Sequence, residues 1–177
     1  MEKIFHEGKY YNDTEMKEIV LDYYRCVFSD KFGRHVQMQK IMPSTLSSDA
    51  VILDYGCGMG GISSMFYDKY KCRVDAVDIS DNELRKAKAA FGDNKKINFK
   101  NLAEFDFPDE YYDLIFSSQV IEHVHNCGNY LYKINKMLKK DGLLIIGLPN
   151  IVNLNYLIQL MFFSAKKAKD ILIEVDD

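Results

Sequence analysis

"VILDYGCGMGG", Val51 to Gly61, is the stretch on which the reading of this chain turns. An apolar run with β-branched residues leads into four glycines within six residues. Such a run suits a strand buried on both faces of a parallel sheet. The glycines that follow let a ligand approach the backbone, because glycine carries no Cβ and tolerates unusual φ. Two spacings overlap here. Gly56, Gly58 and Gly61 give G-x-G-x-x-G, while Asp54, Gly56, Gly58 and Gly60 give D-x-G-x-G-x-G. Both patterns mark a strand–loop–helix unit holding a nucleotide-type ligand. The glycines alone do not say which ligand.

Outward from the loop, strands alternate with helices. Ile62, Met65, Phe66 and Tyr70 mark one helix face after the glycines. "CRVDAVD" is a second strand. Ser80-x-x-Glu83 is a capping box that opens a helix with Leu84, Ala87 and Phe91 inward and Gly92 near its end. "INFKNL" and "YYDLIFSSQ" are the third and fourth strands. Tyr130, Ile134, Met137 and Leu138 predict a helix ending near Gly142, and "LLIIGLP" is the fifth strand. Upstream, the spacing predicts helices over Thr14–Phe28 and Arg34–Ile41, the latter closed by Met42-Pro43. Downstream, Leu154, Leu157, Ile158, Met161 and Phe162 form one more amphipathic face. Alternation of this kind gives an α/β fold: a doubly wound, mainly parallel sheet with helices on both faces. The expected organisation is a helical lid over 1–49, a ligand-binding core over 50–150 and a helix with a tail over 151–177.

Bulk properties limit the alternatives. The chain has 177 residues, 47% of them apolar, and a formal charge of −3, so a real core is expected and a broad nucleic-acid footprint is not. The four cysteines Cys26, Cys57, Cys72 and Cys127 have no C-x-x-C spacing, which fits free thiols in a reducing cytoplasm. No apolar leader and no apolar run long enough to span a membrane is seen.

Charge separates the ligands. A dinucleotide sets a pyrophosphate on the glycine loop and the helix behind it. Asp54 would then stand beside a dianion, which is unfavourable. S-adenosylmethionine brings a sulfonium and an ammonium instead, and an acid suits them. Asp78 ends the second strand 22 residues after Gly56, where a carboxylate accepts from ribose hydroxyls in either class of ligand.

Four blocks taken together, "LDYGCGMGG", "VDAVDIS", "FPDEYYDLIFSSQVIEHV" and "LKKDGLLIIGLPN", resemble the class I (Rossmann-like) S-adenosylmethionine-dependent methyltransferases in order and spacing. The resemblance covers about residues 50–150. It implies that Gly56, Gly58 and Gly60 pack under the methionine part of the cofactor and that Asp54 lies near its amino group. It places Asp78 at the ribose and Ile79 against the adenine. Asn101 stands where the family usually has an acid that accepts from the adenine amino group; an amide oxygen can accept the same bond. The Leu102 N–H would meet a ring nitrogen, and the backbone carbonyl of Gln119 the ammonium. The implied reaction is methyl transfer to O or N of a small-molecule acceptor, such as a sugar or a lipid-linked precursor, leaving S-adenosylhomocysteine.

The cofactor carries the chemistry, and the protein must align the acceptor and remove a proton. Glu122 and His123 in "SSQVIEHVHN" are the candidate catalytic residues, with His123 the base. His125 follows close by. Some relatives hold a divalent ion with E-x-x-E-H; here Gln119 replaces the first acid, and an amide is a poorer ligand for a hard cation, so no metal is expected. Tyr10, Tyr11, Phe28 and His35 are candidate lid residues, while Tyr23 and Tyr24 read as helix–helix packing.

The family's sheet has seven strands, and the hairpin beside the fifth does not fit within this sequence. The expected order is therefore 3-2-1-4-5 with an open fifth edge, covered in a homodimer or by the apolar segment Ile171–Val175. Two rival readings follow: a fragment of a longer methyltransferase, or a silent cofactor-binding subunit that needs a partner. An RNA substrate is disfavoured by the acidic balance.

Overall fold

The computed structural model describes residues 3–29 and 34–149, with backbone alone over 34–37. The predicted helix over 154–162 and the segment 171–175 lie outside the described residues. The chain opens with a hairpin that periodicity does not announce: β1 (Ile4–His6) and β2 (Lys9–Tyr11) pair antiparallel across Glu7-Gly8. Both turn residues have positive φ, 45° and 79°, the geometry of a tight two-residue hairpin. Helices α1 (Asp13–Ser29) and α2 (Arg34–Ile41) follow as expected. Asn12 and Glu15 cap α1 reciprocally, each side chain accepting from the other's backbone N–H at 2.9 Å.

The glycine stretch folds as strand β3 (Val51–Tyr55), loop and helix α3 (Gly61–Tyr70). Then come β4 (Arg73–Asp78), α4 (Asp81–Phe91), β5 (Ile97–Asn101), β6 (Tyr112–Ser118), α5 (Cys127–Met137) and β7 (Leu138–Gly147). Half of the capping box forms: Ser80 Oγ accepts from the Glu83 N–H, while the Ser80 N–H donates to Asp78 and the Glu83 carboxylate accepts from Lys86 instead. The sheet is parallel throughout, ordered β5-β4-β3-β6-β7. Counted from the glycine-loop strand, that is 3-2-1-4-5, as the sequence predicts. One boundary is corrected. Helix α5 stops at Met137, not near Gly142, and the chain turns straight into a strand at Leu138. Leu138 has extended backbone and pairs with Tyr112; the register then shifts before Leu143 pairs with Leu114. The four residues between are the irregular part, and a Cβ at Gly142 would come within 2.9 Å of the Tyr112 carbonyl oxygen. Strand pairing at Leu138 therefore overrides the helical periodicity that carries on past Met137.

Alternation along β3 sorts its side chains. Ile52, Val74, Leu114 and Phe116 join Ile62 and Phe66 of α3, Leu84 and Ala87 of α4, and Met38 of α2 in one buried cluster. Leu53, Val77, Ile115 and Tyr112 face the other way and pack with Tyr130, Ile134 and Met137 of α5. That second face also buries Asp75, whose carboxylate accepts from Arg73, Asn98 and the Tyr112 hydroxyl. A buried charge held by three donors is tolerated. Ile4, Met16, Val20 and Ala90 form a third cluster that seats the hairpin and α1 on α4. Residues up to Gly147 make one compact unit.

Candidate active site

All five strands of the sheet are parallel, so their C-terminal ends share one rim, where ligands of doubly wound sheets sit. The glycine loop lies at its centre. Gly56, Gly58 and Gly60 all have positive φ, at 83°, 51° and 81°. The N–H groups of Gly56 and Cys57 both donate to the Val77 carbonyl, at 2.8 and 3.0 Å, which lashes the loop to β4. A Cβ on Gly60 would come within 2.7 Å of the Phe99 ring, so close packing forbids one. A Cβ on Gly56 would overlap Val120, at the exit of β6. At Gly58 the same test finds open space. The loop is thus packed from behind and free at its middle glycine.

Asp78 fixes that arrangement. One carboxylate oxygen accepts from the Gly58 N–H at 2.8 Å, the other from the Ser80 N–H at 2.9 Å. Each oxygen keeps accepting capacity for a further donor. Ile79 next to it is 75% exposed, an apolar side chain presented to whatever occupies the rim. Asn101 ties the ends of β4 and β5 together: its amide N–H₂ donates to Asp81 and to the Ile79 carbonyl, and its oxygen accepts from the Ala103 N–H. Leu102 opens the short 3-10 turn that follows.

Asp54 points to the opposite side of β3 from Tyr55 and is 2% exposed. Ser63 Oγ donates to it at 2.5 Å. Burial pushes the Asp54 carboxyl up to about 7, helped by the Asp78 charge and opposed by Ser63. The sequence reading missed Ser63 and also Tyr24. The Tyr24 ring lies against Gly61, in the place where a side chain there would stand. The signal for the contact was the doubled glycine: Gly61 begins a helix, where no turn requires it, so its missing side chain makes room for something. Phe28 stacks on Tyr24, with ring centroids 5.6 Å apart. Of the other proposed lid residues, Tyr10 is exposed and lies 5.2 Å from Phe5, while Tyr11 is half-buried against the third cluster. His35 lies among the residues described by backbone alone.

The β6 exit carries the remaining candidates. Gln119 has φ of 59°, strained for a residue with a side chain, and its N–H donates to the Gly147 carbonyl at 2.9 Å. Its side-chain nitrogen is buried without a partner among the described residues. Glu122 and His123 occupy a 3-10 turn, Ile121–His123, and both are exposed. The structure does not bring their side chains into the cleft beside α5. That cleft, about 620 Å³, is lined by Tyr55, Leu102, Phe107, Val124, His125 and Tyr130 among others. It runs beside α5 and shares Leu102 with the rim. Among the described residues no three His, Cys, Asp or Glu side chains converge as a metal site would need, and no helix is long and apolar enough to cross a membrane.

Comparison with known proteins agrees with this geometry. The phosphoethanolamine N-methyltransferase of Plasmodium falciparum is 28% identical over 153 residues, which cover 82% of this chain and 56% of that protein. A ubiquinone biosynthesis O-methyltransferase from Rickettsia bellii is 34% identical over 113 residues, 63% of this chain and 47% of that one. The chain therefore spans about half the length of these curated relatives. Among solved structures, phosphoethanolamine N-methyltransferase 2 of Haemonchus contortus, in complex with S-adenosyl-L-methionine, superposes with a TM-score of 0.58 at 20% identity, over 93% of this chain and 41% of that one. An S-adenosylmethionine-dependent methyltransferase from Mesorhizobium loti gives 0.56 at 22% identity, over 63% and 51%. These two likenesses establish the fold. A family model described as a methyltransferase domain matches residues 53–146, more than half of the sequence, and the chain belongs to that family.

Proposed function

We propose that this chain is an S-adenosylmethionine-dependent methyltransferase that transfers a methyl group to O or N of a small-molecule acceptor. The observation that carries the reading is the rim itself: a glycine loop packed from behind and open at Gly58, between a buried acid, Asp54, and a ribose-type acid, Asp78. The residues fit this cofactor. Asp78 keeps lone pairs for the ribose hydroxyls, and Ile79 offers its exposed face to the adenine. Leu102 supplies an N–H for the adenine edge, and the Asn101 oxygen retains accepting capacity beside its bond from Ala103. Gly56, Gly58 and Gly60 underlie the methionine part, with Asp54 and the Gln119 carbonyl near the ammonium. When bound, the cofactor supplies an electrophilic methyl carbon.

The chain's own task is to hold the acceptor in line and take its proton, and a positioned base adds roughly 10²–10⁴-fold. His123, on the turn after β6 with Glu122 beside it, is the proposed base. His125 is the second candidate, because it lines the cleft. The named relatives act, by name, on phosphoethanolamine and in ubiquinone biosynthesis, which supports a small polar or lipid-related acceptor here. The hairpin and α1 supply a lid over residues 1–49, anchored where Asn82 donates to the Phe5 carbonyl at 3.0 Å. Unpaired thiols throughout the described residues support a cytoplasmic setting. Among the described residues, strand β7 is the outermost of the sheet on one side, with Leu143 at 42% exposure, and this edge supports a homodimer.

Isothermal titration with S-adenosylmethionine, S-adenosylhomocysteine and NAD tests the cofactor. Micromolar binding of the first two and none of NAD is expected; binding of NAD alone would reverse the reading. Sedimentation at micromolar concentration tests the dimer, and a clean monomer would remove it.

A further inference from the structure

The crossovers that leave β3, β4 and β6 each carry an α-helix: α3, α4 and α5. The crossover from β5 to β6 does not. Residues 102–111 cross the sheet with one 3-10 turn, Leu102–Glu104, and otherwise as loop. Between this thin crossover and α5 lies the cleft of about 620 Å³, a size suited to a small-molecule ligand. Its floor is aromatic. Tyr55 stacks on Phe107 with ring centroids 6.0 Å apart and meets Tyr130 edge-on at 5.5 Å. Ile134 and Met137 continue the apolar floor along α5.

One edge of the cleft is polar. His125 stands just before α5, and Asn129 and Lys133 follow one turn apart on it, so the three run along one side of the helix. The acid in the lining, Asp109, is held by Lys136 at 3.0 Å. Lys133 has no ion pair or hydrogen bond among the described residues, which leaves an uncompensated cation over an apolar floor. A neutral apolar ligand would waste that charge, and a bare anion would leave the aromatic floor wet. One end of the cleft meets the rim: Tyr55 directly precedes Gly56, and Leu102 is the residue proposed for the adenine edge.

We infer that this cleft is the acceptor site and that the acceptor is an amphiphilic anion. Its reacting O or N lies at the His125 end, its apolar body on Tyr55, Phe107 and Tyr130, and its anionic group at Lys133. The reaction part of this rests on the proposed function. The helix sets the ligand's length: Asn126, the cap of α5, and Lys133 are seven residues apart, so the anion sits roughly 10 Å from the reacting end.

Isothermal titration of the ligand-free full chain with octyl phosphate, below its micellar concentration, tests the site. Octyl phosphate should bind more than about tenfold tighter than inorganic phosphate, because about two buried methylene groups already supply that factor. It should bind about fivefold or more tighter than octyl glucoside, which brings no charge for Lys133. Lys133→Glu should weaken octyl phosphate about fivefold or more with the thermal midpoint unchanged. Lys140→Glu, at an exposed lysine outside the cleft, should leave its binding within about twofold. Saturating octyl phosphate should leave S-adenosylhomocysteine affinity within about threefold, since cleft and rim share a wall and not a space. Equal binding of octyl glucoside or inorganic phosphate, equal effects of the two lysine variants, or displacement of S-adenosylhomocysteine overturns the inference while the proposed function stands. Octyl phosphate bound by a chain that takes neither S-adenosylmethionine nor S-adenosylhomocysteine overturns the proposed function and, with it, the acceptor role.

Discussion

Lowering the pH from 7 to 5.5 should weaken S-adenosylmethionine binding through one carboxyl group, Asp54. Burial has pushed that group up to about 7, against an ordinary value of 3.8. The proposed ligand contact needs it ionised, because an ammonium gains little from a neutral acid. If only the ionised form binds, the dissociation constant is multiplied by 1 + 10^(7 − pH), which is about 2 at pH 7 and about 33 at pH 5.5. The expected loss is therefore on the order of tenfold, or about 1–2 kcal/mol. The window stops at pH 7 because an α-amino group itself titrates near 8. Binding at pH 5.5 should also release about one proton, read from the dependence of the calorimetric enthalpy on the buffer's ionisation heat. Stability of the ligand-free protein should run the other way. A raised acid pKa means that the folded state holds a proton the unfolded chain has already lost. This group therefore costs nothing below about pH 4 and on the order of 4 kcal/mol above pH 7. Asp54→Asn, close in size, should remove both slopes. Affinity that is flat from pH 5.5 to 7, with no proton released, would refute the reasoning and move the ammonium away from Asp54.

Asp78→Ala should weaken cofactor binding by about 1–3 kcal/mol and also lower the thermal midpoint, because the same carboxylate holds the Gly58 and Ser80 N–H groups; unchanged affinity in a folded variant would take Asp78 out of the site. Gly56→Ala should destabilise through its overlap with Val120, and adding Val120→Ala should restore part of the loss, leaving about 1–2 kcal/mol for the left-handed backbone. No restoration, measured by urea unfolding, would mean that backbone strain alone is responsible. His123→Ala should slow single-turnover methyl transfer far more than it changes cofactor affinity, with His125→Ala run beside it. Whichever substitution leaves the rate untouched identifies the histidine that is not the base.

The rim was legible in the sequence because each of its parts is local. A β-branched run, glycines at alternate positions and a carboxylate at the next strand's end are all patterns within one short segment, and the parallel sheet dictates that their ends meet. Asp54 and Asp78 accordingly lie near the ends of neighbouring strands, with Gly58 in the loop donating to Asp78, and together they form the proposed site. What periodicity does not carry is contact across long separations and competition between elements. Val120 packing on Gly56 and Tyr24 packing on Gly61 join residues 64 and 37 positions apart, and no local pattern encodes them. The amino-terminal hairpin escaped notice because each strand is three residues long, too short for alternation to register. Met137 and Leu138 continue a helical face, yet Leu138 joins the sheet, where pairing with Tyr112 outweighs one more turn of α5. Tyr24 shows the difference most plainly. Its spacing with Val20 and Phe28 is that of an ordinary buried helix face, and it is half of one. Its other half is read only from the partner: a glycine at a helical position that needs no glycine implies a neighbour pressed against it, and the fold identifies that neighbour as the Tyr24 ring.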